Sequence, residues 1–270
     1  MNLPEIIKAA HGEKPVDLLL TNAQIVNVFA GEIVSGALAI SDGTIVGFGP
    51  YEAKNVVDLK GRYVAPGFID GHVHIESSMA CISEFARAVV VHGTTTVAAD
   101  PHEIANVLGL SGIEYMLQSA EQQPMNIYFT LPSCVPATDM ETAGARLTAE
   151  DLRPLLNKEK IIALAEMMNF PGVIYRDPDV LAKILAARQQ KKPIDGHAPG
   201  LKGPELNAYI SAGIQSDHEC TTEQEAREKL MAGMYIMIRQ GTCAKNLQAL
   251  LPAVNEKTAR RMMWCSDDRH

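Results

Sequence analysis

From Pro66 to the last residue the chain alternates apolar runs with amphipathic segments, and no other feature restricts the fold as tightly. Strand-like runs fall at 68–74, 95–100, 126–131, 161–166, 193–197, 214–218, 234–238 and 262–267. Helical patterns separate them at 82–92, 105–121, 149–156, 178–190, 203–212, 222–232 and 245–253. Strands alternating with helices at this spacing imply a parallel sheet. Eight of them imply an α/β fold of the closed (β/α)8, TIM-type class, here without a final helix. An open, doubly wound sheet is the competing arrangement.

The polar residues favour the barrel. His72 and His74 end the first run, Asp100 and His102 follow the second, and Glu166 ends the fourth. His197, His218 and Arg239 end the fifth, sixth and seventh, and Asp267-Asp268 the eighth. In a barrel these groups converge on one mouth, where barrel active sites are built. In an open sheet the first and eighth strands lie far apart.

Alternate side chains of a strand share a face, so His72 and His74 offer two nitrogens to one ion. Four histidines and two carboxylates at strand ends can hold two divalent cations. His72 and His74 would take one and His197 and His218 the other, with Glu166 bridging and Asp267 beside the first ion. Imidazole and carboxylate donors suit Zn, Fe or Mn. The chemistry on offer is hydrolysis: a metal-bridging hydroxide attacks an sp2 carbon while Asp267 moves the proton to the leaving group. Asp268 is the alternative to Asp267 as ligand.

The first 65 residues read differently: a short amphipathic helix over 1–10, then, within a small β domain over 14–65, β-type runs at 18–20, 24–27, 36–41, 44–49 and 55–59. Ser41-Asp42-Gly43 marks a hairpin. We divide the chain into a small β-sandwich portion, 1–65, and the barrel, 66–270. The net charge of −8 without a basic cluster argues against nucleic acid. No apolar run approaches a membrane span, and residues 1–8 lack the layout of a signal peptide. Five scattered cysteines without a C-x-x-C predict a reducing, cytoplasmic setting.

The stretch Gly67-Phe68-Ile69-Asp70-Gly71-His72-Val73-His74, with histidines at strands five and six and Asp at strand eight, resembles the amidohydrolase superfamily. Within it the chain is similar to the adenine deaminase branch. The closer match lies in His72–Met79, Asp100-Pro101-His102-Glu103-Ile104-Ala105-Asn106, Glu166-Met167-Met168-Asn169, Asp195-Gly196-His197-Ala198-Pro199, Ser216-Asp217-His218-Glu219 and Cys265-Ser266-Asp267-Asp268. The resemblance implies conversion of adenine to hypoxanthine and ammonia by attack on C6, with two Mn or Fe ions, Zn being the alternative. Cyclic amide hydrolases of the superfamily carry a carboxylated lysine where this chain has Glu166. A proton must reach N1 of the ring, and Glu76, His102, Glu103 and Glu219 are the candidate substrate contacts, unranked by sequence. Asn106 and Arg239 are weaker candidates. His92 is read as structural and Met167, Met168, Met262 and Met263 as packing residues. A homodimer is expected by analogy. Against the family pattern the chain stops after strand eight, so an inactive fragment stays open as an alternative. So does another amidohydrolase, a cyclic amide hydrolase or an N-deacetylase.

Overall fold

A computed structural model describes residues 2–138 and 140–270; Met1, the first residue of the expected helix, and Asp139 lie outside the described residues. The chain forms two compact units, Met1–Gly67 and Phe68–His270.

The first unit is one sheet with one helix. Helix α1 (Leu3–His11) stops at Gly12, whose φ of 79° is the left-handed conformation that suits glycine. Strand β1 (Val16–Asn27) pairs antiparallel with β2 (Glu32–Ser41), which pairs with β3 (Thr44–Phe48). On its other edge β1 takes β4 (Ala53–Asp58) and β5 (Tyr63–Val64) in parallel. The runs 18–20 and 24–27 are one strand, bulged between Leu20 and Ala23. Ala9 of the helix is buried with Val16, Leu19 and Ala39 of the sheet.

The second unit opens with β6 (Phe68–His74), α2 (Ile82–Val90) and β7 (Thr94–Ala99). There follow α3 (His102–Leu108), α4 (Leu110–Ser119), β8 (Asn126–Leu131), α5 (Ala149–Leu152) and β9 (Ile161–Met167). Then come α6 (Phe170–Ile174), α7 (Pro178–Gln189), β10 (Ile194–Gly196), α8 (Gly203–Ser211) and β11 (Ser216–Asp217). The chain closes with α9 (Glu223–Met231), β12 (Tyr235–Arg239), α10 (Leu247–Leu250), β13 (Met262–Cys265) and β14 (Asp267–Asp268). The helix expected over 105–121 is two helices. Gly109, at φ 60°, breaks it, and a residue with a side chain would be strained there. Helix α6 carries no sequence pattern long enough to be seen.

The strands run parallel in the order β10-β9-β8-β7-β6-β14, and β11-β12-β13 form a second ladder. Segments β13 and β14 are one eighth strand, split at Ser266. Its first part pairs with β12 and its second with β6, so the first and eighth strands are neighbours, as a barrel requires. Between β10 and β11 one backbone hydrogen bond, Gln215 N–H to Ile194 O at 3.0 Å, takes the place of a ladder. Gly196 permits that approach, since a Cβ there would sit 2.1 Å from Ser216 O. Helices pack outside: Ile127, Phe129, Ile161 and Ile194 share a buried core with Ile113, Met116, Ile184 and Leu206. No helix among the described residues is long and apolar enough to cross a membrane.

Candidate metal centre

Strand β6 delivers His72 and His74 to the barrel mouth with the alternation the sequence requires, and both are buried. Their Nε2 atoms lie 3.1 Å apart. Asp267 Oδ1 stands 3.6 Å from the first and 3.3 Å from the second, and Glu166 Oε1 stands 3.3 Å from His74 Nε2. His74 is aimed by its other nitrogen, which lies 3.1 Å from the carbonyl of Asp100. His72 Nδ1 lies 3.2 Å from Asp195.

The opposite oxygen of Glu166 faces the other pair. Its Oε2 is 2.6 Å from His197 Nδ1 and 3.2 Å from His218 Nε2. The rings of His72 and His218 stack with centroids 4.3 Å apart, which brings the two pairs together. One carboxylate therefore presents one oxygen to each pair, the geometry of a bridging ligand.

The donor atoms fit metal ions. Ligands bonded at about 2.1 Å in tetrahedral array sit about 3.4 Å from each other, and most separations above fall near that figure. Two imidazole Nε2 atoms facing at 3.1 Å cannot both be protonated; they share one proton or, both unprotonated, face a cation. The groups His72/His74/Glu166 and Glu166/His197/His218 each keep their donor atoms within 4.8 Å. Imidazoles with carboxylates and no thiolate match Mn, Fe or Zn.

Electrostatics point the same way. Burial opposes ionisation of Glu166, but hydrogen bonds from His197, His218 and His74 prevail and hold its carboxyl well below the usual range. Asp267 is held low against its burial by His74 and the neighbouring imidazoles. Burial disfavours the charged form of His218, yet Glu166 pushes it up to about 9. These carboxylates are anionic and positioned for cations.

Glu76, His102 and Glu103 stand around His74 on the β6 and β7 side. Glu103 Oε2 lies 3.3 Å from His74 Nδ1, and Glu76 Oε1 accepts from Ile104 N–H at 3.3 Å. Glu76 Oε2 and His102 Nδ1 are buried without hydrogen-bond partners. Burial pushes Glu76 up to about 7 and lowers His102. Glu219 sits on the other side, both oxygens accepting from Arg239, which also donates to Asp267 Oδ2 at 2.6 Å. Asp268, the alternative ligand, accepts from Ser77 Oγ, while Asp267 is the one that faces the histidines.

Several residues that hold this arrangement were given no role of their own by the sequence. Asp195 accepts from Ser216 Oγ at 2.5 Å and lies beside His72. Tyr209, fully buried, accepts from His197 N–H at 3.0 Å and donates to Met167 O at 2.8 Å. Asn246 donates to His218 O at 3.2 Å and accepts from Arg239 N–H at 2.6 Å. Asp100 is wholly buried with both oxygens unpaired, and burial raises its carboxyl well above the usual range. Of these, the sequence placed Asp100 at a strand end and Asp195 beside His197 in the family-matching stretches, while Tyr209 and Asn246 stood in no motif.

A barrel of parallel strands with a histidine–carboxylate cluster at its C-terminal mouth defines a class of barrel hydrolase. The amidohydrolase family model matches residues 63–268, and the chain belongs to that family. The family is metal-dependent, and the clusters above supply metal-binding groups. The chain is 60% identical to an adenine deaminase of Desulfatibacillum aliphaticivorans, over 98% of this chain and 47% of that protein. It is 53% identical to an adenine deaminase of Clostridium acetobutylicum, over 99% and 47%. The chain thus spans about half the length of these relatives. Among solved structures, the zinc complex of an atrazine chlorohydrolase from Arthrobacter aurescens matches 93% of this chain and 72% of its own, with TM-score 0.64 at 16% identity. An N-acetyl-D-glucosamine-6-phosphate deacetylase from Mycobacterium smegmatis covers 92% and 76%, with TM-score 0.58 at 17% identity. At such identities these two speak for the fold.

Proposed function

We propose that this chain carries the catalytic centre of an adenine deaminase, a metal-dependent aminohydrolase that converts adenine to hypoxanthine and ammonia. The observation that carries the reading is Glu166 shared between two histidine pairs, in a chain 60% identical to a protein of that name. His72, His74 and Asp267 would hold one divalent cation, His197 and His218 the other, and Glu166 both. Mn or Fe is the expected metal, with Zn as the alternative. Cations held there supply Lewis-acid activation of water at neutral pH.

The residues do the rest. Asp267 points one oxygen at the histidines and has the other pinned by Arg239, which keeps it anionic and oriented to take a proton from the attacking water. It passes that proton to the departing amine. Attack at C6 builds negative charge on N1, which needs a donor. Glu76, with its carboxyl pushed up to about 7 by burial, can keep a proton near neutral pH. His102 and Glu103 complete the set of ring contacts, and Glu219 enters through Arg239. The partner is a small molecule, adenine, with no nucleic acid or membrane. A cytoplasmic homodimer is the proposed state.

The test is ammonia release from adenine by the chain loaded with Mn, alongside a cyclic amide and an N-acetyl sugar. Turnover of adenine alone supports the reading. Turnover of another substrate changes the substrate class, and bound metal without any turnover sinks the claim that this chain carries the catalytic centre.

A further inference from the structure

We propose that Lys229 is a positioning residue for the half of the centre carried by His197 and His218, an inference that rests on the two-cation reading above. Lys229 lies on α9, and its ammonium is completely buried. It donates to Ala198 O at 2.6 Å, to Asp217 Oδ2 at 2.9 Å and to Glu225 Oε1 at 2.8 Å. Three N–H groups meet three acceptors, so the ammonium is fully used.

Two of those acceptors flank the histidines. Ala198 follows His197, and Asp217 precedes His218. Asp217 Oδ1 also accepts from Ala198 N–H at 2.8 Å, so both backbone polar groups of Ala198 are clamped. Glu225 extends the hold by accepting from Gly200 N–H at 2.8 Å and Thr221 N–H at 3.1 Å, just beyond the two histidines. One ammonium thus ties both histidine-bearing loops to α9.

That tie matters because the two strands pair with β9 and β12 but are not laddered to each other. Strands β10 and β11 have three and two residues and share a lone backbone hydrogen bond. Yet His197 and His218 must converge on the same oxygen of Glu166, at 2.6 and 3.2 Å. The alternative role for Lys229 is to neutralise Asp217 and Glu225 and nothing more.

The two roles separate when Lys229 and the fully buried Asp217 are both made neutral, leaving Glu225, which reaches solvent. The wild type, Asp217→Asn/Lys229→Met, Lys229→Arg and Lys183→Met are loaded with Mn2+, dialysed, and measured for metal content, thermal melting and Mn2+ electron paramagnetic resonance. Lys183 is a second buried lysine, paired with Asp179 at 2.9 Å on α7, and serves as the control. The wild type and Lys183→Met should hold about two Mn2+ per chain. The double variant should melt cooperatively yet keep about one, its spectrum changing from a spin-coupled pair to the six lines of an isolated ion. Lys229→Arg keeps the charge but cannot reproduce the three contacts, and should bind the second ion about tenfold more weakly. A double variant that retains two ions overturns the proposal. Should it fail to fold, Lys229→Arg with wild-type affinity for both ions does the same. A folded wild type that binds no metal instead removes the two-cation reading itself.

Discussion

The two halves of the barrel mouth are built by different means. His72 and His74 sit at the end of a seven-residue strand, paired on one side with β7 and on the other with β14. Backbone pairing fixes their direction, and His74 is aimed by a main-chain carbonyl. His197 and His218 follow strands of three and two residues. There the spacing is set by side chains from the surrounding helices and loops: Tyr209 from α8, Lys229 from α9 and Asn246 before α10. Where a ladder is long, the chain aims its ligands for itself. Where it is short, buried hydrogen bonds from other elements must, and each is costly to lose.

The sharpest way to break the comparison is to remove the group both halves share. Glu166→Gln should lower affinity for both cations and reduce turnover by more than about 100-fold, since loss of an inner ligand exceeds the 10–100-fold typical of outer partners. Metal content and steady-state rates measure it, and a variant that keeps both ions would show that Glu166 does not bridge. Tyr209→Phe comes next. It removes a buried hydroxyl from His197 N–H and Met167 O, which should cost about 1–2 kcal/mol in denaturant unfolding. The same variant should weaken metal binding by roughly tenfold, in the short-strand half alone.

On the long-strand side, Glu103→Gln should change metal affinity by no more than about threefold, because the Glu103 side chain is partly exposed, although its Oε2 is buried against His74, and Asp100 O still aims His74. A larger loss, read by metal titration, would mean that side chains hold both halves equally. The smallest effect lies in the first unit, which carries none of these ligands. Lys54 and the backbone of Asp42 hold Asp17 down to about 2. A lowered folded-state value gives stability above the unfolded value of about 3.9, lost as pH falls toward 2. Asp17→Asn should therefore lower the melting midpoint slightly at pH 7, and that difference should shrink through pH 4 to 2 and vanish below about pH 2. An unchanged difference at low pH would rule out the carboxylate as its source.

The sequence was most legible where local pattern and function coincide. Period-two alternation put His72 and His74 on one face, and apolar runs ending in a polar residue placed Glu166, His197, His218 and Asp267 at strand ends. Helix–sheet alternation gave the number of strands, while the ends of elements moved: Gly109 divided one expected helix, and a bulge joined two expected runs into β1. Lys229 was invisible for a physical reason. With Glu225 four residues before it, on a helix as polar as Glu-Gln-Glu-Ala-Arg-Glu-Lys, it reads as an ordinary exposed ion pair. Its burial depends on loops that come from elsewhere in the chain.

By itself, then, the sequence determined the order of strands and helices, the class of donor atom at each strand end, and the absence of thiolates from that set. Those follow from side-chain chemistry and from periodicities a few residues long. Only the tertiary structure decided that Glu166 offers one oxygen to each pair, that Asp267 rather than Asp268 faces the histidines, and that Arg239 is committed to Asp267 and Glu219. Those depend on distances between residues far apart in the chain, set by strand pairing and by buried hydrogen bonds that no local pattern encodes.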